Sequence, residues 1–532
     1  MLRLAYGERL FPAVCGLPPC YPAGTVFQYY AYDDSFWQNA TFLLSGGPAP
    51  PATLNMSLLQ YVFQHVEVEG WDLALFGEPP ASSLFECYQV ASDLPQRGSF
   101  SSSDAMLNAI SEMHRHTIVN SAQDQPLSDP ERDNINWLGD GHLASETSLS
   151  YLDSAPLFER VLEVIADVEQ HCERLGPYPG GLFLVPYIVP LTGTPPMETQ
   201  SCASWAGASS GIDWSVGYVV FADLISRHYN DTRVLARFYA GMQRFMDAAS
   251  APAFMYEGLP AAAFVGDWAN IHLGWTPDYC ICGMLPADQH HIGNASAPCS
   301  CEGTTFPNWS GGRWAVGLYY IYALDAMMRF AQRLGLQADA ERYFAAAAAA
   351  RGAFSAQMLF QNATTGQWAV TDQGEECLAG CMGASAMGLQ VAQFAGGVPV
   401  MDADVQRSVC AHLLGELEAR GMHLDTGVMS TKFVLPALAN SCGEWDAALA
   451  LATQRTAPGW GGWLSNGLTT TAEQWWELAP GATDGFPQHG GALNHPMFAT
   501  GGMYPRQIPA RHPPPSPIDP SPNLASTAAR TP

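Results

Sequence analysis

Between Ser128 and Asp140 the sequence gathers Asp129, Glu131, Asp133 and Asp140 around Arg132, Asn134, Asn136, Trp137 and Gly139. A second cluster lies near the far end of the chain. There Trp460, Trp463, Trp475 and Trp476 bracket the run Asn466 to Glu473, and Asn494 and His495 follow soon after. Two separated carboxyl sites can divide the work of cleaving a glycosidic bond: one protonates the departing oxygen while the other activates water or attacks the anomeric carbon. Tryptophans around an acid would offer flat apolar faces to a sugar ring. The plainer reading of the first cluster is a solvated loop with an N-capping aspartate, and of each tryptophan an ordinary core side chain.

Charge and composition narrow the partners. A formal net charge of -27 over 532 residues repels polyanions across most of the surface, so no nucleic acid is expected as a partner. Hydrophobic residues make up 48% of the chain without a run long enough for a bilayer, which predicts a soluble protein with no membrane partner. The length suits one large core with a smaller companion domain.

Sequons at Asn39, Asn55, Asn230, Asn294, Asn308 and Asn362, together with 13 cysteines, point to a secreted or secretory-pathway protein. Cys15/Cys20 and Cys377/Cys381 are the local disulfide candidates, and with an odd count one thiol stays unpaired. Met1 to Cys20 has no basic start, apolar stretch and small-residue cleavage site, so it does not read as a signal peptide. Cys280, Cys282, Cys299 and Cys301, with His290 and His291 between them, invite a zinc reading. The spacing is tighter than usual zinc knuckles and the intervening sequon Asn294 favours an exposed, oxidised hairpin, so neither metal nor cofactor is expected.

These clusters need a scaffold. Residues 1–98 are rich in Pro, Gly and aromatics and contain β-type runs such as Val62 to Val68, the pattern of part of a β-sandwich. Residues 99–507 are helical stretches separated by Gly/Pro-rich loops. Leu157, Phe158, Val161, Leu162, Ile165, Val168, Cys172 and Leu175 mark a helix with one wet face, whereas Trp314 to Leu324 is apolar almost all round, as in a helix buried on most sides. Further helices are expected near 103–120, 142–153, 211–229, 233–249, 337–358, 380–396, 404–420, 426–440, 444–455 and 490–504. Two concentric helical rings closed into a barrel fit this alternation. Residues 508–532, dominated by Pro, Ser, Ala and Thr, are expected to form a disordered tail.

The same two clusters resemble glycoside hydrolase family 78, the α-L-rhamnosidases. Asp124 through Asp140 is similar to the family's acid segment through Arg132, Asp133, Trp137 and Gly139-Asp140. Gly467 to Trp475 resembles the segment carrying the catalytic base, which makes Glu473 the base, and Leu493-Asn494-His495 resembles the family's sugar-binding Asn-His. Asp213-Trp214 and Gly266-Asp267-Trp268 are similar to segments whose tryptophans line the rhamnose pocket. Leu2 to Leu10 and Phe63 to Gly70 resemble the end of the β-sandwich before the family's barrel, so the resemblance spans about residues 1 to 505 and implies that the chain opens in mid-domain.

The resemblance implies a mainly α fold, an (α/α)6 six-hairpin barrel preceded by a partial β-sandwich. It implies inverting hydrolysis of terminal α-L-rhamnosides in a glycoside or polysaccharide, with Asp133 as general acid, Glu473 as general base, and Trp137, Asp140, Trp214, Trp268 and His495 binding substrate. Asp133 stands where the family has Glu, and Ser128 where it has an Asp that contacts sugar hydroxyls. Those departures motivate two rivals: a degenerate carbohydrate-binding member without turnover, and a six-hairpin glycosidase acting on another sugar. The sequence does not fix the oligomeric state.

Overall fold

In the computed structural model of the chain, the residues described are 2–7, 9–10, 26–27, 39–42, 61–130, 134–175, 185–189, 212–260, 266–267, 312–371, 381–394, 398–475 and 492–500. Asp133, Trp268, Trp476, Cys15, Cys20, Cys377, the cysteine cluster with His290 and His291, the sequons at Asn55, Asn294 and Asn308, and the tail 508–532 lie outside the described residues.

The first segment is β structure. Strands β1 (Leu2–Gly7), β2 (Arg9–Leu10), β3 (Val26–Phe27), β4 (Asn39–Phe42) and β5 (His65–Glu69) form a three-stranded sheet in the order β4-β1-β5 and a two-stranded pair β2-β3. The two runs singled out in the sequence are direct partners: β1 pairs antiparallel with β5, Arg3 opposite Glu69 and Tyr6 opposite Val66.

Beyond it the chain is helical, and the helices alternate in character. We number them α1 (Ala105–Ser121), α2 (Leu138–Tyr151), α3 (Ala155–Leu175), α4 (Gly217–Tyr229), α5 (Arg233–Ala249), α6 (Gly312–Leu334), α7 (Gln337–Met358), α8 (Cys381–Phe394), α9 (Ala403–Ala419), α10 (Val428–Pro436), α11 (Trp445–Ala452) and α12 (Trp460–Ser465). Odd-numbered helices bury one stripe. On α7 it is Ala340, Tyr343, Ala347, Ala350, Phe354 and Met358, and on α9 it is Val409, Leu413 and Leu417. Even-numbered helices are buried nearly all round: every residue of α2 is buried, and α6 is almost wholly buried from Trp314 to Met327.

The buried helices meet in order, α2 on α4, α4 on α6, α6 on α8, α8 on α10 and α10 back on α2, with the outer helices packed against them. A 3-10 turn at Pro496–Phe498 lies against α1, α2 and α10, so the last described segment helps close the ring. Asp104 and Asp402 start α1 and α9 by accepting from the amides two and three residues on, which satisfies donors a helix cannot satisfy itself.

One expectation fails. Where the helix was foreseen over 490–504, residues 492–495 are irregular backbone followed by the Pro496–Phe498 turn. Their backbone groups pair with residues 471–473 instead: the Ala492 carbonyl accepts from Glu473 N–H (2.9 Å), Ala492 N–H donates to Glu473 Oε2 (3.1 Å) and His495 N–H to the Thr471 carbonyl (2.8 Å), and Pro496 has no N–H to continue a helix. The stretch foreseen as one helix over 426–440 widens after Pro436 into a π turn, Ala437–Ser441. The short helix α12 was not foreseen.

Candidate active site

The acid loop closes on itself before α2 begins. Ser128 donates through both its amide and its hydroxyl to the Ile135 carbonyl (3.0 Å each), and Asn134 N–H donates to the Asp129 carbonyl (2.7 Å), with Asn134 in the left-handed region at φ 50°. Ser128 and Asp129 are fully buried. The hydroxyl standing in place of a carboxylate at 128 therefore ties the loop rather than reaching outward. The N-cap position of α2 is Trp137 rather than an aspartate, and it makes no side-chain capping bond.

Residues 136–138 pair with 187–189: Leu138 N–H donates to the Tyr187 carbonyl (2.7 Å) and Val189 N–H to the Asn136 carbonyl (3.1 Å). This holds the half-buried Trp137 ring on Tyr187, stacked at 6.3 Å between centroids and 12° between planes. One turn into α2, Asp140 is buried, and the helix N-terminus favours a negative charge there.

Trp214 meets α2 beside Asp140. A Cβ on Gly139 would lie 2.2 Å from Trp214 Cε2, so only glycine lets the indole approach this closely. The preceding Asp213 accepts from Gly266 N–H (3.0 Å), and its carbonyl binds His142 Nε2 (2.8 Å). Burial, aided by the Lys432 charge, pushes the His142 pKa down to about 3 and keeps the ring neutral.

Glu473 and His495 arrive from the far end of the chain on the paired segments 471–473 and 492–495. Glu473 is 4% exposed; its Oε2 accepts from Ala492 N–H (3.1 Å). His495 is 2% exposed, and its Nε2 lies 3.3 Å from Asp140 Oδ1. Thr471 anchors the pair: its amide donates to Thr117 Oγ1 of α1 (2.8 Å) and its hydroxyl to the His495 carbonyl (2.6 Å).

Asp140, His495 and Glu473 are thus brought together, with Trp137 and Trp214 flanking α2. Their companion tryptophans are not a sugar cradle. Trp460, Trp463 and Trp475 are fully buried, Trp463 stacked on Trp475 at 4.6 Å and both against Phe498, and the indoles of Trp460 and Trp475 donate to the carbonyls of Phe498 and Thr426 (2.9 Å each). Their faces are taken by one another, and they support the Glu473 segment from behind.

Asp267 was noted in the sequence only as a neighbour of Trp268, yet it is a main organiser. Its Oδ2 accepts from Gly427 N–H (2.9 Å) and the Ser430 hydroxyl (2.6 Å), its Oδ1 from Met429 and Ser430 N–H (2.9 and 3.0 Å). The carboxylate caps α10 while Gly266 is held by Asp213, so residues 266–267 strap two inner elements together. Burial raises the Asp267 pKa against the opposing pull of these donors. Among the described residues no group of three or more His, Cys, Asp or Glu is placed to hold a metal ion.

The family description "bacterial alpha-L-rhamnosidase 6 hairpin glycosidase domain" matches residues 95–279 and 312–504. An α-L-rhamnosidase of Formosa agariphila is 22% identical over 449 residues, 83% of this chain and 40% of that protein. Among solved structures, Streptomyces avermitilis α-L-rhamnosidase complexed with L-rhamnose has a TM-score of 0.69 at 21% identity, covering 94% of this chain and 39% of that one. Native α-L-rhamnosidase from Aspergillus terreus has a TM-score of 0.66 at 17% identity, covering 94% and 49%. The chain spans about two fifths of the length of the curated relative. The helices form a six-hairpin (α/α)6 barrel behind a partial β-sandwich, and the chain belongs to the α-L-rhamnosidase six-hairpin glycosidase family.

Proposed function

We propose that this chain hydrolyses terminal α-L-rhamnosides by single displacement with inversion at the anomeric carbon. Glu473 is the general base that takes a proton from water, and Asp133 is the general acid that protonates the departing oxygen. Asp140 and His495 bind sugar hydroxyls; Trp137, Trp214 and Trp268 pack on the apolar face and methyl group of the deoxy-sugar. The observation that carries the reading is the convergence of buried Glu473, His495 and Asp140 from opposite ends of the chain, beside a loop rich in acids.

The chemistry follows from the surroundings. Glu473 has Oε2 held by the Ala492 amide, which orients the carboxylate that takes the proton from water. The attack forms the bond from water to the anomeric carbon as the bond to the aglycone oxygen breaks. An inverting pair keeps its carboxyls roughly 6.5 to 9.5 Å apart to admit the water. Asp133, one methylene shorter than Glu, has less reach toward the leaving oxygen, which predicts preference for good leaving groups. A disulfide between Cys410 and Cys442, and a second involving Cys381, support a secretory-pathway compartment.

The test is hydrolysis of an aryl α-L-rhamnoside beside other aryl glycosides, with the first-formed anomer read by proton NMR, for the parent, Asp133→Asn and Glu473→Gln. Rhamnoside-selective release of the inverted sugar, lost in both folded variants, is the expected outcome. Retention of configuration, or a parent that binds rhamnose and never turns over, overturns it.

A further inference from the structure

One sequon of the chain stands out in the fold. Strands β6 (Leu359–Gln361) and β7 (Trp368–Val370) make a hairpin between α7 and α8, and Asn362-Ala363-Thr364 lies at its tip. Asn362 N–H donates to the Gln367 carbonyl and its own carbonyl accepts from Gly366 N–H (2.8 Å each), which fixes the turn. The side-chain oxygen faces inward and accepts from the amides of Thr364 (2.8 Å) and Thr365 (2.9 Å). Nδ2 has no hydrogen bond among the described residues, and around the half-buried Asn362 both Gln361 and residues 363–366 are exposed.

The other described sequons sit elsewhere in the fold. Asn39 lies within β4, opposite Ala5 of β1. Asn230 ends α4 in the left-handed region, exposed, with its side-chain oxygen tied to another helix by accepting from Arg333 Nη2 of α6 (2.7 Å), whereas the side-chain oxygen of Asn362 is held within its own turn. An independent feature points the same way: the Cys410–Cys442 disulfide joins α9 to the end of the α10 extension, and such bonds form and persist in compartments where oligosaccharide transfer to asparagine also occurs.

We propose that Asn362 is an N-glycosylation site. Nδ2 forms a bond to C1 of an oligosaccharide carried on a lipid pyrophosphate, the bond from C1 to the pyrophosphate oxygen breaks, the lipid pyrophosphate leaves, and the amide proton passes to the transferase. The inward-turned carbonyl and the exposed tip keep the modified nitrogen in solvent, so the glycan adds to the finished hairpin without displacing a contact.

The full chain, led by a cleavable secretion signal and secreted from a eukaryotic host, is deglycosylated by an amidase in heavy-oxygen water, and its peptides are mapped. Conversion of Asn362 to heavy-oxygen Asp is the expected result, with one glycan-sized mass step lost in both Asn362→Gln and Thr364→Ala. Thr364→Ser, which keeps the sequon, retains that step. Recovery of the Asn362 peptide unconverted, whether or not another sequon is labelled, overturns the proposal.

Discussion

His495 Nε2 lies 3.3 Å from Asp140 Oδ1, with both side chains almost wholly buried, so a histidine from the end of the barrel and an aspartate from its first inner helix share one site. Asp140→Ala takes away both the negative charge and the partner of His495. A loss in kcat/KM of about a hundredfold or more is expected, on the order of 3 kcal/mol of transition-state binding, with Asp140→Asn less severe. Steady-state kinetics on an aryl rhamnoside check this, and an unchanged KM in Asp140→Ala would remove Asp140 from substrate binding.

Asp267→Ala leaves three amides and a hydroxyl at the start of α10 without their acceptor. Orphaning such donors is expected to cost about 3 kcal/mol or more. Asp267→Asn keeps one accepting oxygen and falls between. Denaturant midpoints of the two variants give the order, and equal midpoints would contradict it.

His114 on α1 is buried edge-on to Trp460, with neither ring nitrogen hydrogen-bonded among the described residues. Burial pushes its pKa down to about 3. A lowered folded-state value means that the stability contribution is whole above the unfolded value near 6.5 and is lost as pH falls from there toward 3, on the order of 5 kcal/mol in all. His114→Phe is expected to flatten the dependence of Tm on pH between 6.5 and 4.

Glu416 has the opposite sign. Burial raises its pKa to about 7, with Asp425 adding and Arg420 opposing, and His412 Nε2 lies 3.7 Å away. The fold favours the protonated acid, so stability falls as pH rises from about 4.5 to about 7, by roughly 3 kcal/mol. Glu416→Gln is expected to raise Tm at pH 8 and leave it unchanged at pH 4.5.

The Cys410–Cys442 bond closes a separation of 32 residues that contains the whole of α10. By chain entropy such a closure stabilises the fold by roughly 3 to 4 kcal/mol. Cys442→Ala is expected to lower the unfolding free energy by about that amount, and a change under 1 kcal/mol would locate the bond's contribution elsewhere.

What was legible in the sequence was local. The stripe from Leu157 to Val168 and the all-round apolar run after Trp314 report burial directly, because a helix repeats its environment every three to four residues. Asp140 and Glu473 stood out through their neighbours. Trp460, Trp463 and Trp475 misled, since indoles crowded near an acid look alike whether they face a sugar or each other. Asp267 could not be read as a helix cap when its acceptor role depends on amides 160 positions away. The 490–504 stretch carried helix-compatible residues, but its backbone groups pair with residues 471–473 from elsewhere in the chain.

The ring is closed by its latest segment. Thr117, on the first barrel helix, receives the amide of Thr471, 354 positions later, and His495 follows beyond that. On a ribosome adding about 5 to 20 residues per second, roughly 20 to 70 s separate the emergence of those two threonines. The first inner helices must therefore wait with their catalytic-end surfaces uncovered, and a chain halted in that interval holds Asp140 without Glu473 or His495. On the proposed assignment, substrate affinity thus becomes a reporter of ring closure: the site lacks two of its members until residues 471–495 have docked.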